Sequence, residues 1–142
     1  MHEKPAILQF GTSRFLLAHV DFFVSEALSK GKAIGTIAVV QTTSNPQSSQ
    51  RIAALNESNG YPVMIRGLVD SKPSETEHQA KGVTAAYSAH HDWAAILDLG
   101  ASVDVILSNT GDKGYELDRS DDSSLLANPD ALPKSFPAKL LV

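Results

Sequence analysis

Cysteine is absent from the 142-residue chain, so neither a disulfide framework nor a thiolate metal site is available to it. That suits a reducing compartment. No stretch approaches the roughly 18 consecutive apolar residues of a membrane span. Met1-His2-Glu3-Lys4-Pro5 leads into a strand instead of the apolar core of a signal peptide. The expected compartment is therefore the cytoplasm, with no membrane partner. Basic charge is also short. Twelve Lys and Arg stand against 16 Asp and Glu, a formal charge of −4, and a nucleic-acid-binding surface would normally be basic. No nucleic-acid partner is expected. No internal repeat or low-complexity segment interrupts the chain.

The apolar share of 42% and charged share of 20% are those of an ordinary globule, at a length that suits one domain. Residues 6–10 are a short apolar run of the kind found in a buried parallel strand. Ser13 can cap a helix whose buried stripe is Leu16, Val20, Phe23, Ala27 and Leu28, and Lys30-Gly31-Lys32 closes it. Residues 36–42 read as a second strand. Asn45 then Pro46 start a helix over 47–58 that stops at Asn59-Gly60. Residues 62–68 alternate Val63 and Ile65 with Met64 and Arg66 and read as a strand. The polar stretch 70–81 reads as a surface loop, and 82–89 as a strand. Asp92 caps a helix through Ile96 and Leu97 to Gly100, and 103–107 form a further buried strand. Residues 118–133 read as a loop, and Ser135 opens a helix that runs to Val142. The expected fold is α/β and Rossmann-like: a mostly parallel sheet with helices on both faces. Because the chain stops on Leu140-Leu141-Val142, the domain of residues 1–142 is expected to be truncated.

Ligands of such sheets sit at the carboxyl ends of the strands. Residues 11–15, 41–45 and 108–111 should converge there. In Phe10-Gly11-Thr12-Ser13-Arg14-Phe15, an apolar strand runs into a glycine turn and a helix start, a geometry that suits a phosphate. The fingerprint G-x-G-x-x-G is incomplete, with Ser13 and Leu16 in place of its second and third glycines. Ser13 can donate to a phosphate oxygen, and the Arg14 guanidinium suits a bidentate pyrophosphate contact. A tight βα turn with a solvated arginine explains the same residues without a ligand. Gln41 and Thr42 stand where a carboxylate usually accepts from the ribose of NAD. They are neutral, so NAD is expected and NADP is not excluded. Arg51 reads as a surface charge, though it has the reach for a 2′-phosphate. Ser108, Asn109 and Thr110 suit cofactor contact or ordinary turn chemistry. His90 and His91 point to opposite faces of a strand, which argues against a shared metal. No metal site is expected. His19 reads as a packing residue or a partner of Arg14, and Trp93 as core.

Taken together, Ile7-Leu8-Gln9-Phe10-Gly11, Phe15 and Ala18-His19-Val20-Asp21 resemble the N-terminus of the mannitol dehydrogenase family. These are the polyol-specific long-chain dehydrogenases/reductases. Val39-Val40-Gln41, Tyr61-Pro62-Val63, Ser108-Asn109-Thr110 with Asp112 and Gly114, and Ser135-Phe136-Pro137-Ala138-Lys139 follow the same pattern in order, nearest to the uronate-reductase branch. Members often have Gly at the position of Ser13, Arg at that of Leu17 and Glu at that of Asp112. The resemblance implies a Rossmann domain for NAD(H) or NADP(H), followed by a larger C-terminal helical domain with a Lys-x4-Asn-x2-His catalytic signature. No lysine of this chain has Asn and His at that spacing, so no catalytic residue is assigned within it.

The expectation is a cofactor-binding domain of a sugar-alcohol or aldonate oxidoreductase, acting on a polyol, aldonate or keto-sugar. By itself the chain should not turn over substrate. A non-catalytic nucleotide-binding module and a Rossmann-like methyltransferase are the alternatives. The second normally wants an acid where Gln41 stands.

Overall fold

Ile7–Phe10 form β1, a strand buried along its whole length. The computed structural model describes residues 4–128 and 130–142, so the Met1-His2-Glu3 lead-in and Pro129 of the acidic loop lie outside the described residues. β2 (Ile37–Gln41), β5 (Val83–Ser88) and β6 (Val105–Ser108) join β1 in one sheet of order β5-β2-β1-β6. All its pairings are parallel, with Phe10 level with Val40 on one side and Ser108 on the other. The chain thus builds outward from β1 through β2 to β5, then crosses to the opposite side of β1 for β6. That reversal is the topological switch point of a doubly wound sheet.

The helices are α1 (Arg14–Ala18), α2 (Val20–Ser29), α3 (Pro46–Glu57), α4 (Trp93–Gly100) and α5 (Phe136–Leu141). Leu8, Phe10, Ala38 and Val40 turn to one face of the sheet, against Trp93 and Ile96 of α4 and Phe136 of α5. Ile7, Ile37 and Val39 turn to the other, against Leu17, Val24, Ile52 and Leu55 of α1, α2 and α3. With both faces covered, β1 and β2 need continuous apolar runs, not alternation. The α/β, Rossmann-like fold expected from the sequence is the fold observed. Asn45 caps α3 by accepting from the Ser48 N–H at 2.9 Å, with Pro46 in the first turn, as read from the sequence. No helix among the described residues is long and apolar enough to cross a membrane.

Five local expectations are corrected. First, residues 72–80 are not a loop: Lys72–Ala80 form β4, antiparallel to β3 (Tyr61–Val69) in a separate two-stranded sheet. Asp70 and Ser71, both at positive φ, make its two-residue turn. Second, the hairpin arm stands out from the body, so Ile65 is exposed beside Met64 and only Val63 of this pair of faces is buried. Third, the first helix breaks at His19, whose ψ of −77° separates α1 from α2. The break rotates α2, so Asp21, Phe22 and Ser25 face inward and Phe23 is 63% exposed. Fourth, β6 is not buried: as an edge strand it leaves Val105 41% and Ile106 50% exposed. Fifth, His90 and His91 lie in a turn after β5, not on a strand.

Candidate functional site

The carboxyl ends of β1, β2 and β6 bring the three expected segments to one edge. Gly11 leaves β1 at φ +111°, a backbone state that favours glycine, while its N–H donates to the Val40 carbonyl at 2.8 Å. Ser13 caps α1 by accepting from the Leu16 N–H at 3.2 Å, so its hydroxyl is engaged at the turn. Arg14 and Phe15 are exposed at the first turn of α1, where backbone N–H groups lack intrahelical partners. The helix expected to aim its dipole here is only five residues long. A phosphate at this turn would therefore rest on N–H groups and the Arg14 side chain more than on a macrodipole. Phe15 is not free: its ring stacks on His19 at 4.7 Å, and His19 Nδ1 sits 2.9 Å from the Phe15 carbonyl. His19 is thus a partner of Phe15, not of Arg14. Phe10 turns into the core, edge-on to Phe136 at 5.4 Å, so it shapes the site from beneath.

A second layer of contacts ties the glycine turn to the end of β2. The Thr12 hydroxyl donates to Gln41 Oε1, both residues being buried. Gln41 Nε2 donates to the Thr43 hydroxyl at 2.6 Å, which lies 3.1 Å from Ser48 Oγ of α3. Arg51 of α3 donates to the Thr12 carbonyl at 3.0 Å and lies 3.3 Å from its hydroxyl. Arg51 is therefore not a free surface charge. It is committed to the turn, because its helix packs across the sheet face below Thr12. Gln41 is likewise a strut between two segments, with both ends of its amide in use. Thr42 is half-buried, and its carbonyl faces His90 Nε2 at 3.2 Å.

Across the switch point, Ser108 ends β6 half-buried, Asn109 is exposed and Thr110 is half-buried. Thr110 packs on the backbone of Gly114, where a Cβ would fall 1.7 Å from Thr110 Oγ1. A crevice of about 630 Å³ opens between Thr42 and Thr110, walled by Lys113, Arg119, Lys134 and Lys139 among others. Its floor is the start of α5. Ser135, expected to cap α5 itself, instead donates from Oγ to Asp121 at 2.5 Å. Asp121 also accepts from the N–H groups of Lys134 (2.9 Å) and Ser135 (2.7 Å). These donors hold its carboxyl below the usual range. Burial lowers the Lys139 ammonium, and its Nζ donates to the Lys134 carbonyl at 2.6 Å.

Beneath the turn lies a pair that periodicity alone did not reveal. Gln9 Nε2 donates to the Gly11 carbonyl at 3.2 Å and to Asp21 Oδ2 at 3.1 Å. Both residues have no exposed surface. Burial pushes the Asp21 carboxyl up to about 7, against the pull of its contact with Gln9. Regular helical spacing leaves Asp21 off the buried stripe, and only the break at His19 turns it inward.

No protein-family model matches the chain. The altronate oxidoreductase of Bacillus subtilis (strain 168) is 29% identical over 137 residues, covering 94% of this chain and 27% of that protein. Among solved structures, a D-sorbitol dehydrogenase in substrate-free form aligns with a TM-score of 0.75 over 97% of this chain and 30% of that one. At 18% identity that second likeness speaks for the fold alone. The chain spans under a third of the length of either protein. Its resemblance to the mannitol dehydrogenase family, carried in the sequence by residues 7–11 and 18–21, is thus borne out in a chain with an α/β, Rossmann-like fold.

Proposed function

We propose that this chain is the nicotinamide-dinucleotide-binding domain of a longer polyol or aldonate oxidoreductase. The observation that carries the proposal is the glycine turn at the switch point, with β2 and β6 level on either side of β1. Gly11 takes a φ of +111° that favours glycine and lets β1 turn at once into α1, and neutral side chains end β2. Both are compatible with a dinucleotide. In this assignment Gly11, Thr12, Ser13 and Arg14 hold the pyrophosphate through N–H groups and the guanidinium. Thr42, beside the Gln41 strut, lines the adenosine ribose. Ser108, Asn109 and Thr110 stand nearer the nicotinamide, whose ring supplies or accepts the hydride when bound.

NAD is the proposed cofactor. Arg51, the cation nearest the end of β2 on α3, is already engaged by Thr12 and is not poised for a 2′-phosphate. The proton-transfer residues and most substrate contacts are proposed to lie in a larger helical domain outside these 142 residues, since the chain spans 27% of the altronate oxidoreductase and has no Lys-x4-Asn-x2-His. The open β6 edge supports that division, because parallel sheets are normally covered at their apolar strands. The test is NADH fluorescence on titration with the chain. Enhancement that saturates, and that Arg14→Ala weakens, is expected. Absence of binding to NADH and NADPH alike would overturn the assignment. So would robust polyol oxidation by the chain alone overturn the placement of the catalytic residues elsewhere.

A further inference from the structure

Among the described residues, three buried side-chain polar atoms lack a hydrogen-bond partner: Gln9 Oε1, Asp21 Oδ1 and Trp93 Nε1. Two of the three belong to a single hydrogen-bonded pair. The Gln9 amide cannot be reversed to relieve this. Its NH₂ group already serves two acceptors, the Gly11 carbonyl and Asp21 Oδ2, and a reversed amide would set oxygen against both. Gln9 Oε1 therefore needs a donor. Asp21 Oδ1, unpartnered as a carboxylate oxygen, becomes a donor by taking up one proton. Gln9 Nε2 already joins the two residues through Oδ2, so a proton on Asp21 Oδ1 would supply the donor that Gln9 Oε1 lacks and make an acid–amide pair.

The surroundings favour the neutral acid. Tyr61 of β3 is the titratable group beside Asp21, and its hydroxyl hydrogen goes to the Leu17 carbonyl at 2.7 Å. It brings no positive charge. His78 of β4 turns edge-on to Phe22, 5.5 Å away, and the Lys81 backbone N–H is taken by Ser25 Oγ at 2.8 Å. Gln9 from β1 is uncharged. No cation faces Asp21 from these elements to hold it ionised, and a buried unpaired carboxylate is costly.

We propose that Asp21 is a positioning residue of the glycine turn: as a neutral carboxylic acid it donates to Gln9 Oε1, fixes the Gln9 amide and through it the Gly11 carbonyl, and so couples dinucleotide binding to its own protonation. The dinucleotide part rests on the function proposed above. Loss of the proton leaves Gln9 Oε1 and Asp21 Oδ1 both without a donor. The amide must then rotate toward Asp21, which releases the Gly11 carbonyl and loosens the turn. Asn at position 21 reproduces the neutral acid, since its NH₂ group donates where the acid proton did and its oxygen accepts from Gln9.

The experiment is an NMR titration of the labelled 142-residue chain from about pH 5 to about pH 9, wide enough to bracket a neutral-range group. It follows the Asp21 carboxyl carbon, the Gln9 side-chain amide and the backbone nitrogen of Thr12, which shares its peptide with the Gly11 carbonyl. All three should titrate together, and Asp21→Asn should leave Gln9 and Thr12 flat in the low-pH state. An Asp21 carbon already ionised at the acid end, or a Thr12 nitrogen that does not move with it, would overturn the proposal, and the wild-type titration decides this even if the variant fails to fold. NADH affinity, read in parallel by fluorescence, should fall several-fold as pH rises through that transition in the wild type and stay constant in Asp21→Asn. Coupled titration with pH-independent NADH affinity would overturn the positioning role. No NADH binding at any pH would instead overturn the cofactor assignment, with the coupled titration still deciding the acid–amide pair.

Discussion

Thr12 and Gln41 meet across the carboxyl ends of β1 and β2, the hydroxyl of one donating to the amide oxygen of the other, both side chains buried. This contact makes the glycine turn and the end of β2 one unit. The neutral residue at the end of β2 thereby has a structural reason: a carboxylate at position 41 could accept from Thr12 but could not donate to Thr43 as the Gln41 amide does.

Thr12→Val keeps the shape of the side chain and removes the donor. It strands Gln41 Oε1 and takes a contact from Arg51, at a cost of about 1–3 kcal/mol for an unsatisfied buried acceptor. Urea unfolding should show that loss, and Thr12→Ser should recover most of it. Equal stability of Thr12→Val and wild type would mean that the strut carries no load.

Gly11→Ala places a Cβ at φ +111°, where strain costs on the order of 1–3 kcal/mol. The nearest atom to that Cβ is Leu16 Cδ1 at 3.5 Å, an ordinary contact, so the penalty is conformational rather than a clash. Reduced urea midpoint with an unchanged m-value is the expected result.

Asp21 makes stability depend on pH with a definite sign. Its carboxyl rises from an ordinary 3.8 to about 7 in the folded chain. Between those values the unfolded chain gives up the proton and the folded chain keeps it. Stability is therefore full below about pH 4 and declines until about pH 7, by on the order of 4 kcal/mol if this group acts alone. Asp21→Asn should remove that decline and be the more stable form at pH 8. Unfolding free energies of the two proteins at acid and alkaline pH check this, and parallel curves would contradict it.

The exposed edge of β6 should make the chain self-associate. Val105 and Ile106 present apolar side chains beside unpaired backbone groups, the arrangement that invites edge-to-edge pairing. Ile106→Lys should lower concentration-dependent association in sedimentation velocity runs with little change in unfolding midpoint, because the side chain is half-exposed already.

The parts of the fold legible in the sequence are those set by local chemistry. β1 and β2 announce themselves as unbroken apolar runs, and Asn45-Pro46 marks the start of α3 by its own cap. β4 was hidden because residues 72–79 are mostly polar and exposed, and it owes its strand form to pairing with β3. The break at His19 lies in the backbone, at a ψ of −77°, which no spacing rule encodes. Within the site, the convergence of residues 11–15, 41–45 and 108–111 followed from strand order. The commitments of Arg51 and Gln41 did not, because each depends on a partner 29 or 39 residues away. Asp21 was readable as a carboxylate on a helix, but its burial against Gln9 required the broken helix.

Calorimetric titration of the chain with NADH, NADPH and S-adenosylmethionine separates a nicotinamide-dinucleotide site from the other readings of the glycine turn. Binding of NADH in preference to NADPH, with no heat from S-adenosylmethionine, is the predicted result; binding of S-adenosylmethionine alone would contradict it.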